Sequence, residues 1–121
     1  MGRRGEEAAV RHLEARGYRI IERNYRWHRA EIDVIAQHRG VLIFIEVKAR
    51  RGEKFGSPER AVDQRKQSQI ARVAAHYLRV RGLEGTDCRF DVLALMEAPD
   101  SSGWFIDHIQ DAFWIEKRFV V

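Results

Sequence analysis

Residues 30–49, AEIDVIAQHRGVLIFIEVKA, constrain the fold of this chain more than any other stretch. Two apolar runs flank Gln37-His38-Arg39-Gly40, and a polar turn with a glycine between such runs predicts a β-hairpin. With Arg39-Gly40 as the two-residue turn, His38 faces Val41 and Asp33 lies directly across from Glu46. Side chains alternate along a strand, so Glu31 and Asp33 are expected on one face of the first strand. Glu46 and Lys48 are expected on one face of the second. Cross-strand Cβ atoms sit roughly 4.5–5.5 Å apart, and two ionised carboxylates at about 5 Å repel by roughly 3 kcal/mol at an effective dielectric near 20. Lys48 offsets part of that repulsion. A divalent cation offsets it better.

The alternative is an ordinary hairpin whose Glu46 and Lys48 face water. Against it, only Glu46 interrupts the apolar run from Val41 to Val47. A strand apolar on both faces is usually central and covered on both sides. Ionised groups at the end of such a strand cost several kcal/mol unless they are paired or bind metal.

Composition narrows the class. At 121 residues the chain fits one domain spanning 1–121, long enough to bury well over half of its unfolded surface. A net charge of +4 suits an anionic partner. Cys88 is the single cysteine, so no internal disulfide forms, and a reducing, cytoplasmic setting fits. Its place before an apolar strand predicts a buried structural thiol. No apolar stretch approaches the roughly 18 residues of a membrane span. Arg3 and Arg4 are not followed by the apolar segment of a signal peptide, and Glu6 stands where a myristoylation motif wants Ser or Thr. The expectation is a soluble intracellular domain with no membrane partner.

Taken in order, residues 3–16 predict a short helix closed by Gly17, with Ala9, Val10 and Leu13 on its buried stripe. Glu6 lies on that stripe's side; it reads as a first-turn acid favoured by the helix dipole unless the helix start abuts the hairpin. Residues 18–25 predict a first strand. Asn24-Tyr25-Arg26-Trp27-His28-Arg29 interleaves basic and aromatic residues, either to grip phosphates and stack on bases or as a solvated connection.

Beyond Lys48, Arg50, Arg51 and Lys54 form a cationic loop with Gly52 and Gly56 beside the proposed site, suited to substrate contact. Ser57-Pro58-Glu59 predicts a helix start, with the helix running to Arg81 and stopped by Gly82. Its buried face is expected to carry Val62, Ile70, Val73, Ala74, Tyr77 and Leu78, with most of its arginines solvated. Lys66, four residues before Ile70, falls near that face, and His76 at its edge. Residues 89–96 predict a core strand in which Asp91 pairs with a basic neighbour, and 104–109 a returning strand. The apolar residues between Gln110 and Val121 predict core packing or a subunit contact.

The order helix, three strands, helix, strand, with Asp33 on the second strand and Glu46-Val47-Lys48 on the third, resembles the PD-(D/E)XK nuclease superfamily, although the proline of its name is missing. More narrowly, Gly5-Glu6, Glu31-Ile32-Asp33, the run Phe44 to Arg50, Phe55-Gly56, Arg89-Phe90-Asp91 and His108-Ile109 through Phe113 are similar to the YraN-like family. Its members are small bacterial proteins regarded as endonucleases distantly similar to archaeal Holliday junction resolvases. Ala30 stands where that family usually has glycine, a change that matters only if the position needs positive φ.

The resemblance implies an α/β fold with a restriction-endonuclease-like mixed β-sheet core (α-β-β-β-α-β) flanked by helices. It also implies a metal-dependent, sequence-nonspecific DNA endonuclease, with branched DNA in repair or recombination as one substrate class. Together with the charge argument, it assigns Mg²⁺ or Mn²⁺ to Asp33, Glu46 and the Val47 carbonyl, with Glu6 as the helix acid and Glu31 supporting a second ion. Lys48 orients the attacking water. Arg50, Arg51, Lys54, Lys66, Arg26 and Arg29 are the candidates for holding the DNA backbone. A homodimer is permitted without being required. The competing reading keeps the fold as a non-catalytic nucleic-acid-binding or interaction module. A metal-free domain of another kind requires Asp33 and Glu46 on opposite faces, as a one-residue register slip produces.

Overall fold

The computed structural model describes residues 3–50, 63–100 and 102–113, without the side chains of Arg3 and Arg50. Helix α1 (Arg3–Ala15) is followed by strands β1 (Arg19–Trp27), β2 (Ala30–His38) and β3 (Val41–Arg50). Helix α2 (Gln64–Val80) and strands β4 (Cys88–Glu97) and β5 (Trp104–Ile109) complete the order. The five strands form one sheet in the order β1-β2-β3-β4-β5. All neighbours are antiparallel except β3 and β4, which run parallel. A parallel pair needs a crossover connection, and α2 lies within it. This is the expected restriction-endonuclease-like arrangement, a mixed sheet between two helices.

The hairpin register is the one expected. His38 pairs with Val41, and Arg39 and Gly40 both have positive φ (52° and 80°), which makes a turn suited to strand twist. β3 is central and buried on both faces, as its apolar run requires. Ile43, Ile45 and Val47 pack toward α1 with Leu13. Leu42 and Phe44 pack toward α2 with Val73 and Tyr77. Glu46 continues the second set.

Three features differ from expectation. Helix α2 starts at Gln64, because Asp63 in extended conformation caps it by accepting the Lys66 N–H. Ser57-Pro58-Glu59 and Val62 lie outside the described residues. The basic-aromatic stretch is not a connection as far as Trp27, since Asn24 to Trp27 belong to β1 and only His28-Arg29 make the turn. Cys88 opens β4 and is half-buried rather than sealed, although burial still pushes its thiol up. Arg81 stays exposed, as most of the basic residues of this helix were expected to be, and is bound by both carboxylate oxygens of Glu22. At the C-terminal side, Phe113 is buried and stacks on Phe90 at 5.2 Å, so this part packs on the core. Residues 114–121 lie outside the described set.

Strand alternation breaks where the site lies. Ile32 and Val34 are two residues apart, yet Ile32 packs in the α2 layer and Val34 in the α1 layer. β1 turns over at the same level. Arg23 reaches Glu7 of α1, whereas the Tyr25 hydroxyl meets His76 of α2. Between them Asn24 adopts a left-handed φ of 53°, a conformation its short polar side chain tolerates better than most. The two strands therefore switch faces together around Asp33.

Candidate metal and phosphate site

The paired stretch of β2 and β3 ends at Val34 opposite Ile45, and one further step places Asp33 opposite Glu46. There the Asp33 Oδ2 accepts the Val47 N–H at 2.7 Å, a side chain standing in for a main-chain acceptor. Asp33 adjoins Glu46, and each acts on the other's ionisation. Burial of the glutamate, followed by the adjoining Asp33 carboxylate, pushes Glu46 up to about 8, with Lys66 and Lys48 pulling the other way. Burial also raises Asp33, opposed by its bonds to Glu46 and the Val47 N–H. Both carboxyls are thus harder to ionise than ordinary ones, because burial and each other's charge act on the same pair.

Glu46 Oε2 is buried with no hydrogen-bond partner among the described residues. Its nearest described ammonium, Lys66 Nζ, is 3.9 Å away, too long for a hydrogen bond. Lys48 shares the strand face of Glu46 and contributes charge, not a bond. Such an atom is costly in an apolar surrounding. A hard divalent cation fits this donor set: two touching carboxylates, one buried oxygen lacking a donor, and oxygen-only chemistry.

Beside the pair lies a cavity of about 450 Å³ lined by Glu6, Asn24, Arg26, Glu31 and Asp33. Three of these are acids. Helix α1 does abut the hairpin, so Glu6 is part of the site rather than a distant dipole acid. Arg23 stands 4.0 Å from it. Burial pushes Glu31 up, but Arg26 Nε at 2.6 Å and Asn24 outweigh it and hold the carboxyl below its ordinary value. Glu31 is thus an anion already engaged, unlike Glu46.

The expected backbone contacts separate into groups. Lys66 joins the site through α2, as its position near the buried face suggested. Arg26 is committed to Glu31 and mostly exposed. Arg29 lies away from the acidic cavity and lines a second one. Arg50 ends β3 opposite Met96. Arg51 and Lys54 lie outside the described residues. Val47 enters the site through its N–H. Among the described residues, no three His, Cys, Asp or Glu side chains gather into a ready metal-binding group. Ala30 does not have positive φ, so alanine is accommodated there. Sequence reasoning missed Asn24, whose only signal was an asparagine in mid-strand.

Comparison with known proteins is consistent across the chain. Residues 5–95 match a family described as uncharacterised protein family UPF0102. A UPF0102 protein of Chlorobium chlorochromatii (strain CaD3) is 47% identical over 121 residues, covering 97% of this chain and 93% of the relative. A UPF0102 protein of Symbiobacterium thermophilum is 51% identical over 100 residues, covering 83% of this chain and 85% of the relative. One from Moorella thermoacetica is 49% identical over 94 residues, 78% of each chain.

Proposed function

This chain belongs to the uncharacterised protein family UPF0102, and we propose that it is a metal-dependent, sequence-nonspecific DNA endonuclease that hydrolyses phosphodiester bonds. The observation that carries the proposal is the buried Asp33–Glu46 pair, raised in pKa and with one oxygen lacking a donor, beside an acidic cavity. A carboxyl perturbed by desolvation and by a specific charged neighbour, sitting at a cleft, is a functional-site candidate.

Asp33 and Glu46 would hold the cation, with the Val47 carbonyl as a further ligand and Glu6 available for a second ion; Glu31 would support that ion only by giving up its bond to Arg26. Mg²⁺ or Mn²⁺ held there would supply Lewis acidity for phosphoryl chemistry and counter-charge for the two carboxylates. Lys48 orients the attacking water and stabilises charge developing on phosphorus. Lys66 supplies a second ammonium from the α2 side. Arg50, Arg51 and Lys54 hold the phosphate backbone without reading sequence. Branched DNA is the substrate class favoured by the likeness to junction resolvases, in repair or recombination. One domain over residues 1–121 in the cytoplasm belongs to the same reading. Symmetric cleavage of a four-way junction requires two sites and hence a homodimer.

The test offers branched, nicked and linear DNA to the purified protein with Mg²⁺ or Mn²⁺, beside Asp33→Ala and Lys48→Ala. The expected result is cleavage by wild type alone; cleavage persisting in both variants refutes the assignment. A second reading, a non-catalytic nucleic-acid-binding module, is favoured by one observation, the lack of a ready three-ligand metal group among the described residues. Calorimetry finding no cation affinity, together with salt-dependent DNA binding, selects it.

A further inference from the structure

The turn that closes β1 and β2 separates two cavities of opposite chemistry. Arg26 pairs with Glu31, and one rung on Trp27 pairs with Ala30. The first pair lines the acidic cavity; the second lines another of about 450 Å³, with His28, Arg29, Gln69, Arg72 and Val73. That volume lies in the range of small-ligand sites. Among the described residues, no carboxylate lines it.

Its two guanidinium groups are uncommitted. Arg23, Arg26, Arg81 and Arg89 are each held by a carboxylate, whereas neither Arg29 nor Arg72 makes an ion pair with any described residue. The aromatic wall is braced. Trp27 stacks on His76 at 4.5 Å with 14° between planes, and His76 Nδ1 meets the Tyr25 hydroxyl at 3.1 Å. An indole fixed in this way loses little freedom when another ring packs on the site.

Helix α2 links the two chemistries. Lys66, Gln69 and Arg72 are spaced by three, so each neighbours the next along an inclined ridge of the helix. Lys66 faces Glu46, and Gln69 and Arg72 line the cavity. At 1.5 Å per residue, Lys66 and Arg72 stand roughly 9 Å apart along the axis.

We infer that the Trp27–Arg29–Arg72 cavity binds an unpaired nucleotide of a nucleic-acid strand, its base against Trp27 and its flanking phosphates on Arg29 and Arg72. The inference rests on the nucleic-acid reading of the acidic site for its purpose, but not for its measurement. A base inside a duplex has no free face to offer, so the cavity selects DNA with frayed, flipped or branch-point nucleotides. That gives a physical basis for structure selectivity.

The test measures fluorescence polarisation of the full chain with EDTA present, so cleavage does not intervene. The probes are a mixed-sequence single-stranded oligodeoxynucleotide, an abasic version of it, its blunt duplex, and the ribo-oligonucleotide of the same sequence. The single strand should bind about tenfold more tightly than the abasic strand and the duplex. Arg29→Ala and Arg72→Ala should each weaken single-strand binding and lower the salt slope by about 0.7. Trp27→Phe keeps a ring and should retain most affinity, whereas Trp27→Ala should erase the preference over the abasic strand. If Trp27→Ala fails to fold, the two arginine variants and the abasic comparison decide. Equal affinity for intact and abasic strands, or arginine variants that bind like wild type, overturns the inference. Equal binding of DNA and RNA leaves the cavity standing with no sugar preference. If the variants behave as expected while no DNA is ever cut, the cavity stands and the endonuclease assignment falls. Cleavage with no effect of the arginines is the reverse.

Discussion

Asp91 and Glu46 are carboxylates buried in neighbouring strands of one sheet, and they are met in opposite ways. Asp91 pairs in register with Ile45, and Glu46 with Val92, so one residue separates them and they lie on opposite faces. Asp91 is 0% exposed and receives Arg89 Nε at 2.9 Å, Arg89 Nη2 at 3.1 Å, His108 Nε2 at 2.8 Å and the Asp111 N–H at 2.9 Å. Burial alone would raise its pKa; His108, Arg89 and the Asp111 N–H outweigh it and hold the carboxyl below its ordinary value. Because the ionised group only accepts, His108 Nε2 must carry the proton. Glu46 is 6% exposed, is pushed up by burial and by the adjoining Asp33, and leaves an oxygen without a donor among the described residues. Burial is common to both. The supply of donors differs, and it separates a carboxylate that stabilises the fold from one held in waiting at a site.

The largest effect expected from this contrast is on activity. Asp33→Asn should reduce Mg²⁺-supported cleavage to background while circular dichroism and thermal midpoint stay near wild type. Retained cleavage would mean that the under-supplied pair is not the working one. Next in size, Asp91→Ala should cost about 3–5 kcal/mol in urea unfolding, since it strands Arg89 and His108 around a deleted charge. A loss below 1 kcal/mol would erase the distinction between the two sites.

The third effect is pH dependence without divalent ions. Glu46 ionises near 4.5 when unfolded and near 8 when folded, so between those values the folded chain holds the extra proton. Its contribution to stability is therefore complete below that window and is lost as pH rises through it. Asp91 works oppositely, contributing above the ordinary aspartate range and losing that contribution as pH falls through its lowered folded value. Urea titrations from pH 5 to 9 should show wild type losing stability relative to Glu46→Gln as pH rises, and added Mg²⁺ should reverse the loss. Parallel curves for the two proteins would contradict the raised value. The smallest effect is His108→Gln, expected to cost about 1–2 kcal/mol because Arg89 and the Asp111 N–H still serve Asp91. A cost equal to that of Asp91→Ala would show that the four donors act as one unit.

The pattern of residues 30–49 determined the hairpin, its register and the central place of β3, because turn chemistry and alternation are local and one face must be buried. The facing of Asp33 and Glu46 followed from that register, as did the place of Lys66 from helical spacing. Tertiary structure decided the rest. Only packing against the hairpin could tell whether Glu6 was a dipole acid or part of the cavity. The turnover at Asn24 and Asp33 could not be read from a period of two, because it depends on two strands leaving regular conformation together between helix layers. Which buried acid stays charged was likewise invisible in the chain. That answer lies in donors brought from positions 89, 108 and 111, and in their absence around Glu46 Oε2 among the described residues. Local sequence sets which groups face inward, whereas desolvation and donor supply are properties of the assembled surroundings.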